Sequence, residues 1–511
     1  MSDQHDRPAA IAPETISSGV PGLDTVLNGG YTANRLYLIE GIPGSGKTTM
    51  AMQFLLDGVA KGETVLYVTL SETEAELREA AQAHGWTLDG IHIHELLPAG
   101  DQLDPQSQYT MFHPSEVELA QTTGRILQEV ERLQPRRVVF DSLAEIRLLA
   151  GSMLRFRRQV MALKQYFSGR GTTVLMLDDR QGVEHGLPVH TIVHGSLELD
   201  QMRPEYGGDR RRLRVTKFRG RAFRSGNHDY IIETGGVRVF PRLIAAHFRR
   251  DGENVPMSSG LAPLDTLLGG GLDRGTSTLL VGAAGTGKSS LAAHYVVAAA
   301  QRGERSAMFL FDESPRALVT RSRGMGLDID GCIESGMVAV QPIDPAELSP
   351  GEFIEAIRNA VERDKASIVV IDSLSGYFNA MPEEHFVMIQ LHELLSYLGQ
   401  LGVVTILINA QQGLIGQMST TLDISYLADT VILFRYFEAR GEVRQAISVL
   451  KRRTGAHERT IRELRITDQG LDIGEPLRQF RGVLTGVPQE DGCAPGAGIH
   501  ADPQAPNPAA Q

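Results

Sequence analysis

The chain has 511 residues, 42% hydrophobic and 22% charged, a balance that fits a globular protein with a real core and excludes a low-complexity or collagenous one. Its formal net charge of −12 disfavours wholesale binding to nucleic acid. Two distant cysteines, Cys332 and Cys493, exclude a disulfide framework, and no apolar run reaches the roughly 18–20 residues that span a bilayer. With no signal-peptide pattern in MSDQHDRPAA, the expectation is a cytoplasmic protein without a membrane partner.

Residues 1–14 read as a flexible N-terminus, and a first domain is expected over 15–248. It opens on SGVPGLDTVLNGG from Ser18, followed by the short apolar strand RLYLIE and the loop GIPGSGKT from Gly41. The next stretch, TTMAMQFLLDGVAKG, has helical spacing and stops on Gly62. TVLYVTL and RRVVFDS are strands, 157–169 is a helix, and TTVLMLDD is the next strand. Strands alternating with helices predict an α/β fold, a mostly parallel sheet covered by helices on both faces.

The pattern then repeats. SGLAPLDTLLGGG starts at Ser259 and GAAGTGKS at Gly282, so that Ser18 and Ser259, like Lys47 and Lys288, stand 241 residues apart. VVFDSL around Asp141 returns as VVIDSL around Asp372, and KFRG from Lys217 as KRRT from Lys451. Such a unit is too large for a solenoid repeat and implies a duplicated domain, the second copy over 249–482. The Pro-, Gly- and Ala-rich remainder, 483–511, has little to bury and is expected to be disordered.

The strongest chemical signal is G-x-x-x-x-G-K-[ST], present twice between a strand and a helix. Its glycines let backbone N–H groups surround phosphate oxygens, and the helix that follows presents its positive end to the same anion. The nucleotide-binding candidates are Gly44, Ser45, Gly46, Lys47, Thr48 and Thr49, with Gly285, Thr286, Gly287, Lys288, Ser289 and Ser290 in the repeat. Lys47 and Lys288 would reach the outer phosphates of ATP. Thr48 with Asp141, and Ser289 with Asp372, would hold Mg2+, because a carboxylate ending a strand beside the phosphate loop orients the metal and its waters.

Glu72 and Glu313 follow the next strand at the same interval. Each is either the base that takes a proton from an attacking group or a first-turn helix residue, since Ser71 with Glu74 has capping-box spacing and Ser314-Pro315 reads as a helix start. The arginine-dense stretch from Arg203 to Arg224 is either a nucleic-acid patch, a solvated face, or a cationic reach towards a neighbour's nucleotide. Lys217 and Arg219 recur as Lys451 and Arg453 and are the candidates for that reach, whereas Arg210–Arg212 do not recur. His92 with His94, and His185, His190 and His194, lack the partners of a metal site and read as ordinary histidines.

The paired phosphate loops, DSL strand ends and KxR segments together resemble the KaiC family of double-domain ATPases, as do YFEARGE from Tyr436 and ITDQGLDI from Ile466. The resemblance covers about 15–480. It implies two tandem RecA-like P-loop domains, a hexameric homo-oligomer with ATP at subunit interfaces, and serine/threonine autokinase activity in the second domain. The family's paired glutamates are here Ser71-Glu72 and Asp312-Glu313, so Asp312 joins Glu72 and Glu313 as a catalytic candidate. Its adjacent phosphoacceptors match Ser425-Tyr426, which leaves Ser425 as the acceptor. A KaiB-like or sensor-kinase protein is the implied partner. A nucleic-acid-dependent RecA-type motor and an ATP-assembled scaffold with vestigial catalysis are the rival readings.

Overall fold

The computed structural model describes residues 14–96, 114–179, 189–204, 207–245, 255–379, 387–411, 425–485 and 488–490. The expected boundary near 248, residues 1–13 and most of the tail lie outside them. The chain divides into two compact units, one running to Arg242 and taking in Ser349–Glu355, the other holding Leu243–Leu348 and the residues from Ala356 on.

The first unit is built on a nine-stranded sheet: β1 Leu36–Gly41, β2 Val65–Thr69, β3 Ile91–Glu95, β4 Arg137–Asp141, β5 Thr173–Asp179, β6 Gly195–Met202, β7 Arg210–Phe218, β8 Asn227–Glu233 and β9 Gly236–Phe240. Their spatial order is β3-β2-β4-β5-β1-β6-β7-β8-β9. Pairing is parallel from β3 across to β6 and antiparallel from β6 to β9. The parallel strands are apolar on both faces because helices cover both. Successive side chains of β1 feed opposite cores: Tyr37 and Ile39 pack with Phe54 and Val65, whereas Leu36 and Leu38 pack with Phe140, Phe156 and Leu163.

The second unit repeats this arrangement with β10 Ser277–Gly282, β11 Ser306–Leu310, β12 Val338–Pro342, β13 Ile368–Asp372, β14 Val404–Ala410, β15 Thr430–Ala439, β16 Glu442–Arg452, β17 Arg462–Thr467 and β18 Gly470–Pro476. Its order, β12-β11-β13-β14-β10-β15-β16-β17-β18, is the first sheet's order strand for strand. Both halves are therefore α/β with a mostly parallel sheet. In each, the phosphate-loop strand is central, which places the loop at the carboxyl end of the sheet where such folds bind ligands.

Two helices matter to each site. In the first half they are α1 Lys47–Ala60 and α2 Glu74–Ala83; in the second, α3 Lys288–Gln301 and α4 Pro315–Gly324. The start of α2 corrects the expected cap. Thr73, at φ −77° and ψ 158°, is the N-cap and forms the capping box with Glu76, not Ser71 with Glu74. Threonine accepts the Glu76 N–H while the Glu76 carboxylate accepts the Thr73 N–H.

Candidate functional site

Each phosphate loop wraps the start of its helix. Gly46 and Gly287, the residues before the two lysines, have φ of 89° and 100°, a left-handed conformation that glycine adopts without penalty. A Cβ on Gly46 would lie 2.8 Å from Ile232. Ser45 is buried, and its carbonyl accepts the Tyr230 hydroxyl at 2.6 Å; Thr286 donates to the Ala283 carbonyl at 2.8 Å. Gly44 and Gly285 also have positive φ, and Thr49 and Ser290 stand in the first turns of α1 and α3.

Both lysines fold back over their loops. Lys47 Nζ donates to the carbonyls of Gly41 and Ile42 at 2.9 and 3.0 Å, and Lys288 Nζ to those of Gly282 and Ala283 at 2.8 and 2.6 Å. Burial pushes the Lys288 amine down to about 8, with the Asp372 charge pulling it back up.

Asp141 and Asp372 end β4 and β13 and are almost wholly buried. Asp141 Oδ2 accepts from the Thr48 hydroxyl at 2.9 Å and from the Tyr67 hydroxyl at 2.6 Å. Burial raises both carboxyls; Tyr67, Thr48 and Lys47 oppose the rise at Asp141, and Ser289, Arg321 and Lys288 oppose it at Asp372. Asp372 Oδ2 is buried with no hydrogen-bond partner among the described residues. An orphaned carboxylate oxygen beside a serine hydroxyl suits a hard divalent cation, so the Ser289–Asp372 pair fits Mg2+, and Thr48 with Asp141 brings the same donor types together in the first half. The peptide bonds following both aspartates are cis.

Glu72 and Glu313 lie just outside their helices, before the caps Thr73 and Ser314, so neither is a first-turn residue. Both are about half-buried, and burial raises both carboxyls, assisted at Glu72 by the charge of Asp141. Arg321 on α4 opposes the rise at Glu313 and pairs with it at 2.9 Å. Asp312 accepts a hydrogen bond from the Ser373 hydroxyl. Phosphate loop, hydroxyl–aspartate pair and glutamate thus assemble on the carboxyl side of each sheet, within one half of the chain.

The remaining candidates sit elsewhere. Lys217 donates to the carbonyls of His190 and Val193, and Arg219 to that of Thr191. Lys451 donates to the carbonyls of Ser425 and Ala428 at 2.8 Å, and Arg453 to that of Tyr426. In both halves these cations clamp the turn that leads into the strand beside the phosphate-loop strand. That turn lies at the entry end of β10: Ser277 Oγ reaches Leu427 O at 3.4 Å, and the Ser277 N–H donates to Asp429 at 3.0 Å. The phosphate loop leaves the opposite end. Of the surplus arginines, Arg211 pairs with Asp209 and Arg212 with Asp229, each at 3.4 Å.

Three residues at the sites were missed from sequence. Tyr67 gave no signal, being one aromatic residue in an apolar strand. Arg321 was visible, because the interval of 241 places Ala80 opposite it. Asp179, which pairs with Lys47 at 2.9 Å, was hidden because the interval has already shortened from 241 to 231 at the DSL strands; register aligns Asp179 with Gly41 and Ala410 with Gly282.

Two tandem halves of this topology, each with a phosphate loop between central strand and helix and a buried aspartate on a neighbouring strand, define a double RecA-like nucleotide-binding ATPase. The family model described as "ATPase: KaiC" matches residues 16–244 and again 257–478. The chain belongs to the KaiC ATPase family and is an ATP-binding protein of that kind. Among characterised proteins it is similar to the circadian clock protein KaiC3 of Synechocystis sp., 28% identical over 93% of this chain and 94% of that protein. It is also 28% identical to the circadian clock oscillator protein KaiC of Synechococcus elongatus, over 92% and 91% of the two chains, and to that of Thermosynechococcus vestitus, over 93% and 91%. No helix among the described residues is long and apolar enough to cross a membrane.

Proposed function

We propose that the chain forms a ring, a hexamer by analogy with its family, that hydrolyses ATP at subunit interfaces and transfers phosphate to Ser425, as a cytoplasmic signalling or timing switch with a KaiB-like or sensor-kinase partner. Lys47 and Lys288 hold the outer phosphates, with the loop residues Gly44–Thr49 and Gly285–Ser290 around them. Mg2+, held by Thr48 with Asp141 and by Ser289 with Asp372, would supply charge neutralisation on the phosphates. Glu72 takes a proton from the attacking water in the first half. In the second, Glu313 takes the proton of the Ser425 hydroxyl, with Asp312 the shorter and weaker alternative. The serine oxygen bonds to the γ-phosphorus as its bond to the bridging oxygen breaks, and ADP leaves with those electrons.

The observation carrying the reading is the separation of acceptor and donor along β10. The Ser425 turn stands at one end of this six-residue strand and the Lys288 loop at the other, roughly 17 Å of extended chain away. In-line transfer needs reacting atoms about 3–3.5 Å apart, so Ser425 is out of reach of its own chain's nucleotide. A nucleotide bound across a subunit interface would meet the requirement, and Lys217, Arg219, Lys451 and Arg453, which clamp the same turns, would reach its phosphates there.

Mixing two inactive variants tests this. Ser425→Ala keeps the donor site and loses the acceptor; Lys288→Ala keeps the acceptor and loses the donor. Each alone should incorporate no labelled phosphate from Mg-ATP, and the mixture should label Ser425 of the Lys288→Ala subunits. Label on Ser425→Ala alone removes Ser425 as the acceptor, and none in the wild type removes the autokinase and leaves an ATPase ring.

A further inference from the structure

The second half carries a guanidinium that the first half lacks. Arg321 stands on α4 at the position matching Ala80. Its Nη1 lies 2.9 Å from each of the two Glu313 carboxylate oxygens. Its Nε and Nη2 are buried and have no hydrogen-bond partner among the described residues. With Gly285, Gly287, Lys288 and Ser289, Arg321 lines a cavity of about 480 Å³. Its charge also acts on Asp372, so its reach takes in both carboxylates of the site.

A guanidinium presents five N–H donors in a fixed fork, and donors buried without acceptors are costly. Glu313 occupies only one of the three nitrogens. The chemistry that completes the set is an oxyanion with several acceptor oxygens, and the cavity is the one the phosphate loop faces. We propose that Arg321 is a second phosphate-binding cation of this site, for which Glu313 and the nucleotide's outer phosphates compete. The proposal rests on the second phosphate loop being a nucleotide site.

Competition for one cation has a functional consequence. While Arg321 holds Glu313, the carboxylate's lone pairs face a cation and it is a poor base. When a phosphate takes the guanidinium, Glu313 is released towards the attacking hydroxyl. Arrival of the nucleotide and availability of the base become one event, a coupling that must be reciprocal. Among the described residues Glu72 has no such partner, and Ala80, at the place matching Arg321, offers no charge.

The test is a double-mutant cycle in the full chain carrying Lys47→Ala, so that a fluorescent, non-hydrolysable ATP analogue reports the second site. Arg321→Gln should weaken the analogue about tenfold, the loss expected of a charge-assisted contact. Arg321→Lys should keep most of the affinity, since an ammonium still binds phosphate as a point charge. Glu313→Gln should tighten binding by removing the competitor, and should change nothing once Arg321→Gln is present. Unchanged affinity in Arg321→Gln overturns the proposal, as does equal tightening by Glu313→Gln with and without Arg321. Lys288→Ala separates the two layers. If it abolishes second-site binding while Arg321→Gln has no effect, only the role of Arg321 falls. If binding survives Lys288→Ala, the nucleotide-site reading falls and takes the proposal with it.

Discussion

Lys47 Nζ lies 2.9 Å from Asp179 Oδ1, a carboxylate contact with no counterpart at Lys288 among the described residues, where Ala410 fills the matching place at the end of β14. The two halves share a sheet order and a phosphate loop but not the electrostatics around it. In the first, a carboxylate stands on the phosphate-loop lysine, and the glutamate pairs with no arginine among the described residues. In the second, the lysine donates to the carbonyls of Gly282 and Ala283, and the glutamate is held by Arg321.

Asp179 competes with an anion for Lys47. With a side chain about a third exposed, its hold is solvent-screened, so the effect is modest. Asp179→Ala, in a chain carrying Lys288→Ala, should tighten a triphosphate at the first site severalfold. Fluorescence titration of a labelled ATP analogue measures it. Equal or weaker binding would show that Asp179 supports the lysine rather than competing for it.

Burial holds the Lys288 amine at about 8, and a polyphosphate favours its charged form. The sign follows. The amine's pKa is lower in the free site than in the complex, so affinity is fully present below about 8 and declines as pH rises through that value. Titrating the second site between about pH 7 and 9 should show the dissociation constant rising above 8, with a proton taken up on binding. Calorimetry in two buffers of different ionisation heat counts that proton. A flat affinity up to pH 9 would contradict the assignment.

Glu72 and Glu313 separate hydrolysis from phosphorylation. As general bases, each is expected to contribute about 10²- to 10⁴-fold. Glu72→Gln should remove most hydrolysis by the first half and leave Ser425 labelling in place. Glu313→Gln should reduce Ser425 labelling strongly while phosphate release by the first half continues. Radiolabel on the protein and free phosphate in solution, followed together, distinguish these; matching losses in both would mean that neither glutamate is dedicated to one half.

What the sequence made legible was the repeat and the phosphate loops, because glycine, lysine and hydroxyl spacing is local and nothing else tolerates it. The alternation of strands and helices yielded the parallel sheet, and the antiparallel strands β7 to β9 went unread, since Arg210–Phe218 looks like a basic patch rather than a strand. The helix cap was misplaced by two residues because Ser71-x-x-Glu74 and Thr73-x-x-Glu76 both fit a capping box, and only the extended backbone at Thr73 decides between them. Asp179 acts through a contact between strands, which spacing does not encode without register, whereas Arg321 shows in the sequence only as a charge standing opposite Ala80.

Arg137 shows the same divergence inside the core. Its side chain is 1% exposed, pairs with Asp57 at 2.8 Å and with Glu63, and donates to the carbonyls of Phe54 and Ser17. The matching residue of β13 is Ile368, wholly buried, and the residue matching Asp57 is Ala298. One half therefore fills this place with an ion network and the other with hydrocarbon. Removing one partner of a buried network strands the other charges, at about 3–5 kcal/mol, whereas replacing the network by well-packed apolar groups is often neutral. Arg137→Ile alone should lower the unfolding free energy of the first half by about that amount. Arg137→Ile with Asp57→Ala imports the second half's solution and should recover most of it, because Glu63 keeps Arg136 at 3.7 Å. Urea unfolding followed by the fluorescence of Trp86, the chain's one tryptophan, reads the first half directly. If the double variant is no more stable than the single, the carbonyl bonds of the guanidinium, rather than its charge pairs, hold this corner of the sheet.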